Sequence, residues 1–174
     1  KVTQVKPRSN VFYKKTDQAN LILGVEGFDR YDKRRYAAKV LSSILGEGMS
    51  SRLFMQVRER RGLAYHVSSD ADSYIDTGMF INYAGLKLEK VYEGLKVIID
   101  ELNKISSKKV EGDEMKKAKA EHEKWMKDNG IQTQGINFSL TPKMIKLIGE
   151  YAKTYFDEGA QKLGEVINKI LDEI

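Results

Sequence analysis

Apolar positions along the chain change period several times, and each change marks an element. Gln18 to Glu26 is rich in strand-forming residues and stops at Gly27, after a shorter mixed extended run at Val11 to Lys15. From Asp32 the period is helical. Tyr36, Ala37, Val40, Leu41, Ile44 and Leu45 fall on one stripe, which Gly46 and Gly48 end. A shorter helix follows, capped by Ser50 or Ser51, with Leu53, Phe54 and Val57 as its apolar face and Gly62 just past its end. Leu63 to Ser69 and Gly78 to Ala84 then alternate as strands, the second through Met79, Ile81 and Tyr83. The Asp- and Ser-rich stretch Asp70 to Asp76 connects them as a hairpin or an edge irregularity.

Beyond Gly85 the pattern is helical throughout. Leu88, Val91, Tyr92, Leu95, Ile98, Ile99, Leu102 and Ile105 line one face of the longest helix. Asp113 to Asp128 carries a thin stripe of Met115, Ala118, His122 and Trp125. Thr141-Pro142 begins a helix with Ile145, Ile148, Ala152 and Tyr155, and Leu163 to Ile170 marks a last one after Gly159. Strands, two helices, two strands and then helices predict an α+β domain, its sheet covered on one face by helices. The 174 residues suit a single domain, 1–174.

Composition narrows the class. At 41% hydrophobic and 32% charged the chain is expected to be globular, and no apolar run approaches the ~18 residues of a membrane span. It has no cysteine, which excludes internal disulfides and thiolate metal sites. With no secretory signal visible, this favours a cytoplasmic setting. A start without methionine predicts a piece of a longer product. The net charge of +5 reads as a lysine-rich solvated surface, and no basic cluster interleaved with aromatics points to nucleic acid.

The densest basic group, Arg52, Arg58, Arg60 and Arg61, belongs to the most informative stretch, Gly46 to Tyr65. This is a glycine-hinged turn, a short helix and the start of a strand. Arg58 falls in the last helical turn and Tyr65 at the beginning of the strand. A reversal across Gly62 can bring a guanidinium and a phenol toward one point, where both can donate to a carbonyl oxygen or an oxyanion. The alternative is an Arg58 paired with a neighbouring carboxylate and a Tyr65 that only packs.

Gln18-Ala-Asn-Leu-Ile-Leu-Gly24, Ala38 to Leu45, Gly48-Met-Ser-Ser-Arg-Leu-Phe54, Val57-Arg-Glu59, Gly62-Leu-Ala-Tyr65 and Thr77-Gly-Met-Phe80 together resemble the pitrilysin or insulinase family. The match is to the second, non-zinc domain of bacterial and processing-peptidase members, specific from Gln18 to Ile105 and looser beyond. The resemblance implies half of a clamshell. The other half carries His-x-x-Glu-His and a distal glutamate, which hold zinc and activate a water. This half supplies an arginine and a tyrosine that contact the peptide near the scissile bond, here Arg58 and Tyr65. Gly46, Gly48 and Gly62 are the expected structural turns. The implied partners are a peptide substrate and the catalytic zinc half, either fused or separate, and zinc is expected there rather than here.

His66 and His122 are the two histidines, and neither has a second histidine at ligand spacing. Strand alternation predicts that His66 faces away from Tyr65. The surplus charge of Arg52, Arg60 and Arg61 is expected to meet carboxylates of the catalytic half and acidic groups of peptides. The alternative function is a non-proteolytic structural subunit resembling a core protein of the respiratory cytochrome bc1 complex.

Overall fold

The computed structural model describes residues 16–107, 110–128 and 130. The run at Val11 to Lys15 and the helices expected beyond Thr141 lie outside the described residues. Three antiparallel strands, β1 (Gln18–Glu26), β2 (Ala64–Ser73) and β3 (Gly78–Lys87), form a sheet in the order β1-β3-β2. Central β3 pairs with β1 from Gln18 opposite Lys87 to Glu26 opposite Met79. The β2–β3 hairpin is closed where the Tyr74 N–H donates to the Thr77 carbonyl at 2.8 Å. β2 therefore absorbs Asp70 to Ser73, four of the seven residues expected to form the connection.

Helices cover one side of this sheet. α1 (Arg35–Gly46) packs on β2, and a short π-helix (Phe54–Glu59) joins α1 to β2. After a single 3-10 turn, α2 (Val91–Ser107) returns beneath β3, and α3 (Gly112–Asp128) lies against α1. Leu41, Leu45, Leu53, Phe80 and Leu86 are wholly removed from solvent at the centre of the core. Each such side chain contributes roughly 1.5–3 kcal/mol by leaving water.

The parity of β3 differs from the sequence expectation. Phe80, Asn82, Ala84 and Leu86 face the helices, whereas Met79, Ile81 and Tyr83 lie on the side that none of the described helices covers, with Met79 37% exposed. Both parities of this strand carry apolar residues, and a polar Asn82 argued against its own. The structure buries Asn82 because the Ser69 hydroxyl on β2 donates to its Oδ1 at 2.6 Å, which removes the cost of an unpaired buried amide.

Gly46, the last residue of α1, crosses directly over β2. A β-carbon there would lie 2.1 Å from the Ser69 backbone nitrogen. Close approach of helix to strand, rather than an unusual φ, demands glycine at this position.

Candidate functional site

Chain economy at the end of the π-helix shapes the site. The Arg60 N–H donates to the Met55 carbonyl at 3.0 Å, a five-residue reach that widens the helix by one residue per turn. The Gly62 N–H then returns to the Arg58 carbonyl and the Leu63 N–H to the Val57 carbonyl, each at 2.9 Å. Gly62 makes this reversal at φ +60°, with open space where a β-carbon would sit. Its need for glycine is conformational alone. Gly48 also has a positive φ, +81°.

Two exposed side chains flank the turn. The Arg58 guanidinium lies 4.9 Å from the centre of the Phe54 ring, one turn earlier. Among the described residues no carboxylate pairs with Arg58, so the ring and the solvent are what hold it. On the far side the register of β2 against β3 slips: Ala64 pairs with Leu86 and His66 with Gly85, leaving Tyr65 without a cross-strand partner. An extra residue of this kind bends a strand and re-aims its side chain, and Tyr65 stands 58% exposed. Arg58 is one residue from the Val57–Leu63 hydrogen bond and Tyr65 two residues from it. No hydrogen bond joins the two side chains among the described residues.

The same slip corrects the expectation for His66. Ala64 and Val67 both turn toward the helices although three positions separate them, so the residues between them are both left outside. His66 is exposed beside Tyr65 rather than opposed to it. Simple alternation cannot foresee an inserted residue.

The arginine cluster is also different from expectation. Arg52 is engaged within the chain, its Nε and Nη2 on the two oxygens of Glu114 at 2.6 and 2.7 Å. That carboxylate, outweighing burial, raises the Arg52 pKa further. Arg60 lines a 600 Å³ cleft that it shares with Glu111, Glu114 and Glu121. Arg61 Nη1 donates to the carbonyl and side chain of Gln56 at 2.8 Å. Sequence spacing could not reveal Glu114, because it arrives from a helix far along the chain.

Behind the site lies a polar network that sequence reading missed. Glu47, just past α1, accepts from the Ser42 and Ser43 hydroxyls at 3.0 and 2.7 Å and from Lys39 at 3.3 Å. Lys39 also donates to Asp70 on β2 at 2.5 Å. Burial opposes the lysine's charge, but Asp70 and Glu47 together raise its pKa. His122 of α3 faces this network, 4% exposed, and burial lowers its pKa. His66 and His122 thus sit on separate elements. Among the described residues no group of three or more His, Cys, Asp or Glu side chains is placed to hold a metal ion.

Comparison with known proteins adds the family context. A family model described as the peptidase M16 inactive domain matches residues 1–121. An uncharacterized zinc protease of Streptomyces coelicolor is 45% identical over 111 residues, covering 64% of this chain and 24% of that protein. The chain spans about a quarter of the length of the curated relatives it matches. A solved peptidase M16 inactive domain from Pseudomonas fluorescens superposes with a TM-score of 0.61 at 24% identity, covering 79% of this chain and 35% of that one. A chain of complex III2 from Candida albicans does so with a TM-score of 0.61 at 20% identity, covering 83% and 38%. At these identities the structural likeness is one of fold.

Proposed function

Because the chain belongs to the M16 peptidase family, matching its inactive domain, we propose that it is the substrate-holding half of a zinc metalloendopeptidase. Arg58 and Tyr65 contact the peptide near the scissile bond. A catalytic half, fused or separate, brings the zinc and the water-activating glutamate.

One observation carries this reading: Arg58 and Tyr65 flank a single glycine turn, both exposed, and Arg58 has no carboxylate partner among the described residues. A purely structural arginine would be expected to pair, as Arg52 does. Ring contact with Phe54 limits the freedom of the guanidinium, so less ordering is needed when it meets a carbonyl oxygen. The Tyr65 hydroxyl adds a second donor. In a closed, water-poor chamber, two such donors stabilise the negative charge that develops on a carbonyl under attack. The named zinc proteases among the relatives support the assignment of peptide hydrolysis to the whole enzyme.

The test is kinetic. With the catalytic half supplied, Arg58→Ala and Tyr65→Phe each lower kcat/KM on an unstructured peptide by roughly 2–4 kcal/mol in transition-state terms. Thermal stability stays near that of the unaltered protein, since both side chains are exposed. Unchanged kcat/KM in both variants would reject the substrate-holding role and leave the structural-subunit alternative.

A further inference from the structure

On the face of the sheet away from the described helices, four polar side chains (two carboxamides, a phenol and an imidazole) surround Gly85. Gln18 and Asn20 come from β1, Tyr83 from β3 and His66 from β2, with Asn20, Gly85 and His66 in one row across the three strands. The Tyr83 hydroxyl donates to Asn20 Oδ1 at 2.5 Å. The His66 ring leans on the Tyr83 ring, 5.6 Å between centroids at a tilt of 47°. The Gln18 carboxamide lies over Gly85, so near that a β-carbon on Gly85 would fall 2.0 Å from Gln18 Nε2. The bare middle strand is what lets that carboxamide settle between its neighbours.

None of the four is a carboxylate, a lysine or an arginine. With Oδ1 occupied by Tyr83, Asn20 has amide N–H groups to offer. Gln18 carries donors and an acceptor, and His66 can do either through its ring nitrogens. Asn20 and His66 are exposed, and the neighbouring Ile22 is 63% exposed, so among the described residues nothing covers this face. An extended peptide presents alternating N–H and C=O groups that such a set can satisfy, whereas none of these four carries a fixed counter-charge, the nearest being exposed Lys87, opposite Gln18 at the border of the patch. Tyr65 directly precedes His66, which makes the patch continuous with the proposed substrate contact.

We propose that Gln18, Asn20, Tyr83 and His66 form a main-chain clamp around Gly85 that holds an extended peptide beside Tyr65 irrespective of its sequence. The inference rests on the substrate-holding reading, since it runs the peptide along the same face.

Gly85→Ala is the sharpest probe. It introduces no polar group, and the atom in its way is the end of a flexible side chain, so the Gln18 carboxamide swings aside while the strand persists. The enzyme assembled from this full chain and its catalytic half is assayed on acidic, neutral and basic unstructured peptides. Gly85→Ala, Asn20→Ala and Gln18→Ala each raise KM about three- to tenfold, the worth of one hydrogen bond, by a similar factor for all three peptides. Gln18→Ala keeps the test decisive if Gly85→Ala proves unstable. KM changes confined to one peptide charge overturn the clamp. So does unchanged KM in variants of an enzyme that still loses activity on Arg58→Ala, and in both cases Arg58 and Tyr65 keep their role. If Arg58→Ala and Tyr65→Phe are themselves silent, the substrate-holding reading fails and takes the clamp with it.

Discussion

Arg52 and Glu114 stand 62 positions apart and meet in a two-point ion pair, Nε to Oε1 and Nη2 to Oε2. Arg52 enters the short helix that carries Arg58, and Glu114 lies in the first turn of α3. The pair therefore clamps the site-bearing element to the helical layer. A planar fork meeting a carboxylate is the strong form of this interaction. Both side chains are partly buried, so a double-mutant cycle with Arg52→Ala and Glu114→Ala should give a coupling of about 1–2 kcal/mol, between values for exposed and buried pairs. Arg52→Lys, which keeps the charge without the fork, should recover only part of it. Coupling indistinguishable from zero in denaturant melts would show that α3 is held by packing alone.

Two glycines at the ends of the helical segment are required for different reasons, and their variants should separate. Gly46→Ala forces a β-carbon against the backbone of Ser69, with no flexible atom to give way, so its cost should exceed the usual ~1 kcal/mol of a glycine change. Gly62 has open space around it and a left-handed φ. Gly62→Val should cost about 1–2 kcal/mol and displace Tyr65 relative to Arg58, while Gly62→Asn, which tolerates that region, should cost less. Equal melting temperatures for Gly62→Val and Gly62→Asn would contradict the turn geometry.

His122 makes stability depend on pH. Burial, with a smaller contribution from Lys39, lowers its pKa below the ordinary 6.5, although Glu47 and Glu123 pull the other way. The unfolded chain then binds this proton more readily than the folded one, so stability rises with pH across the interval between the two values. Read downward, the loss begins as pH falls through about 6.5 and is complete below the folded value. Neighbouring Glu121 acts in the opposite sense at lower pH, because burial and Glu47 raise its carboxyl above 4.5 and favour its protonated form. Thermal melts of His122→Phe should lose the decline that begins near pH 6.5. A variant whose pH profile overlays that of the unaltered protein would mean the imidazole does not sense the buried network.

Salt should distinguish which arginines serve a partner. Arg52 is neutralised by Glu114, and Arg60 faces carboxylates of its own chain. Among the described residues Arg61 is held by uncharged Gln56 atoms and by no carboxylate. If the catalytic half presents carboxylates to this rim, association measured by sedimentation should weaken as the screening length falls from ~10 Å to ~3 Å. Arg61→Gln should flatten that dependence, whereas Arg52→Gln should leave it in place and act on folding stability. An Arg61→Gln complex with the full salt dependence would remove Arg61 from the interface.

Residue order alone determined the type of the elements between Gln18 and Asp128, and the family. The stripe from Tyr36 to Leu45 could be buried only as one face of a helix, and Ala37, Val40, Leu41, Ile44 and Leu45 line the core while Tyr36 stays half-buried at its edge. The Gly48 to Tyr65 motif carried the family resemblance that the inactive-domain match now shows. Local periodicity reaches one or two turns along the chain, and what it could not supply was decided by distant neighbours. Asn82 is buried because Ser69 arrives from the adjacent strand to satisfy it, which reverses the apparent parity of β3. Tyr65 and His66 share the open side because β2 slips by one residue against β3, a mismatch that exists only once the strands are paired. Arg52 became an internal clamp because α3 brings Glu114 to it, while Arg58, only six positions on, was left without such a carboxylate among the described residues. Which arginine is structural and which faces solvent depends on what the fold places opposite each one. Ion pairing is a property of distance in space, and the sequence records only distance along the chain.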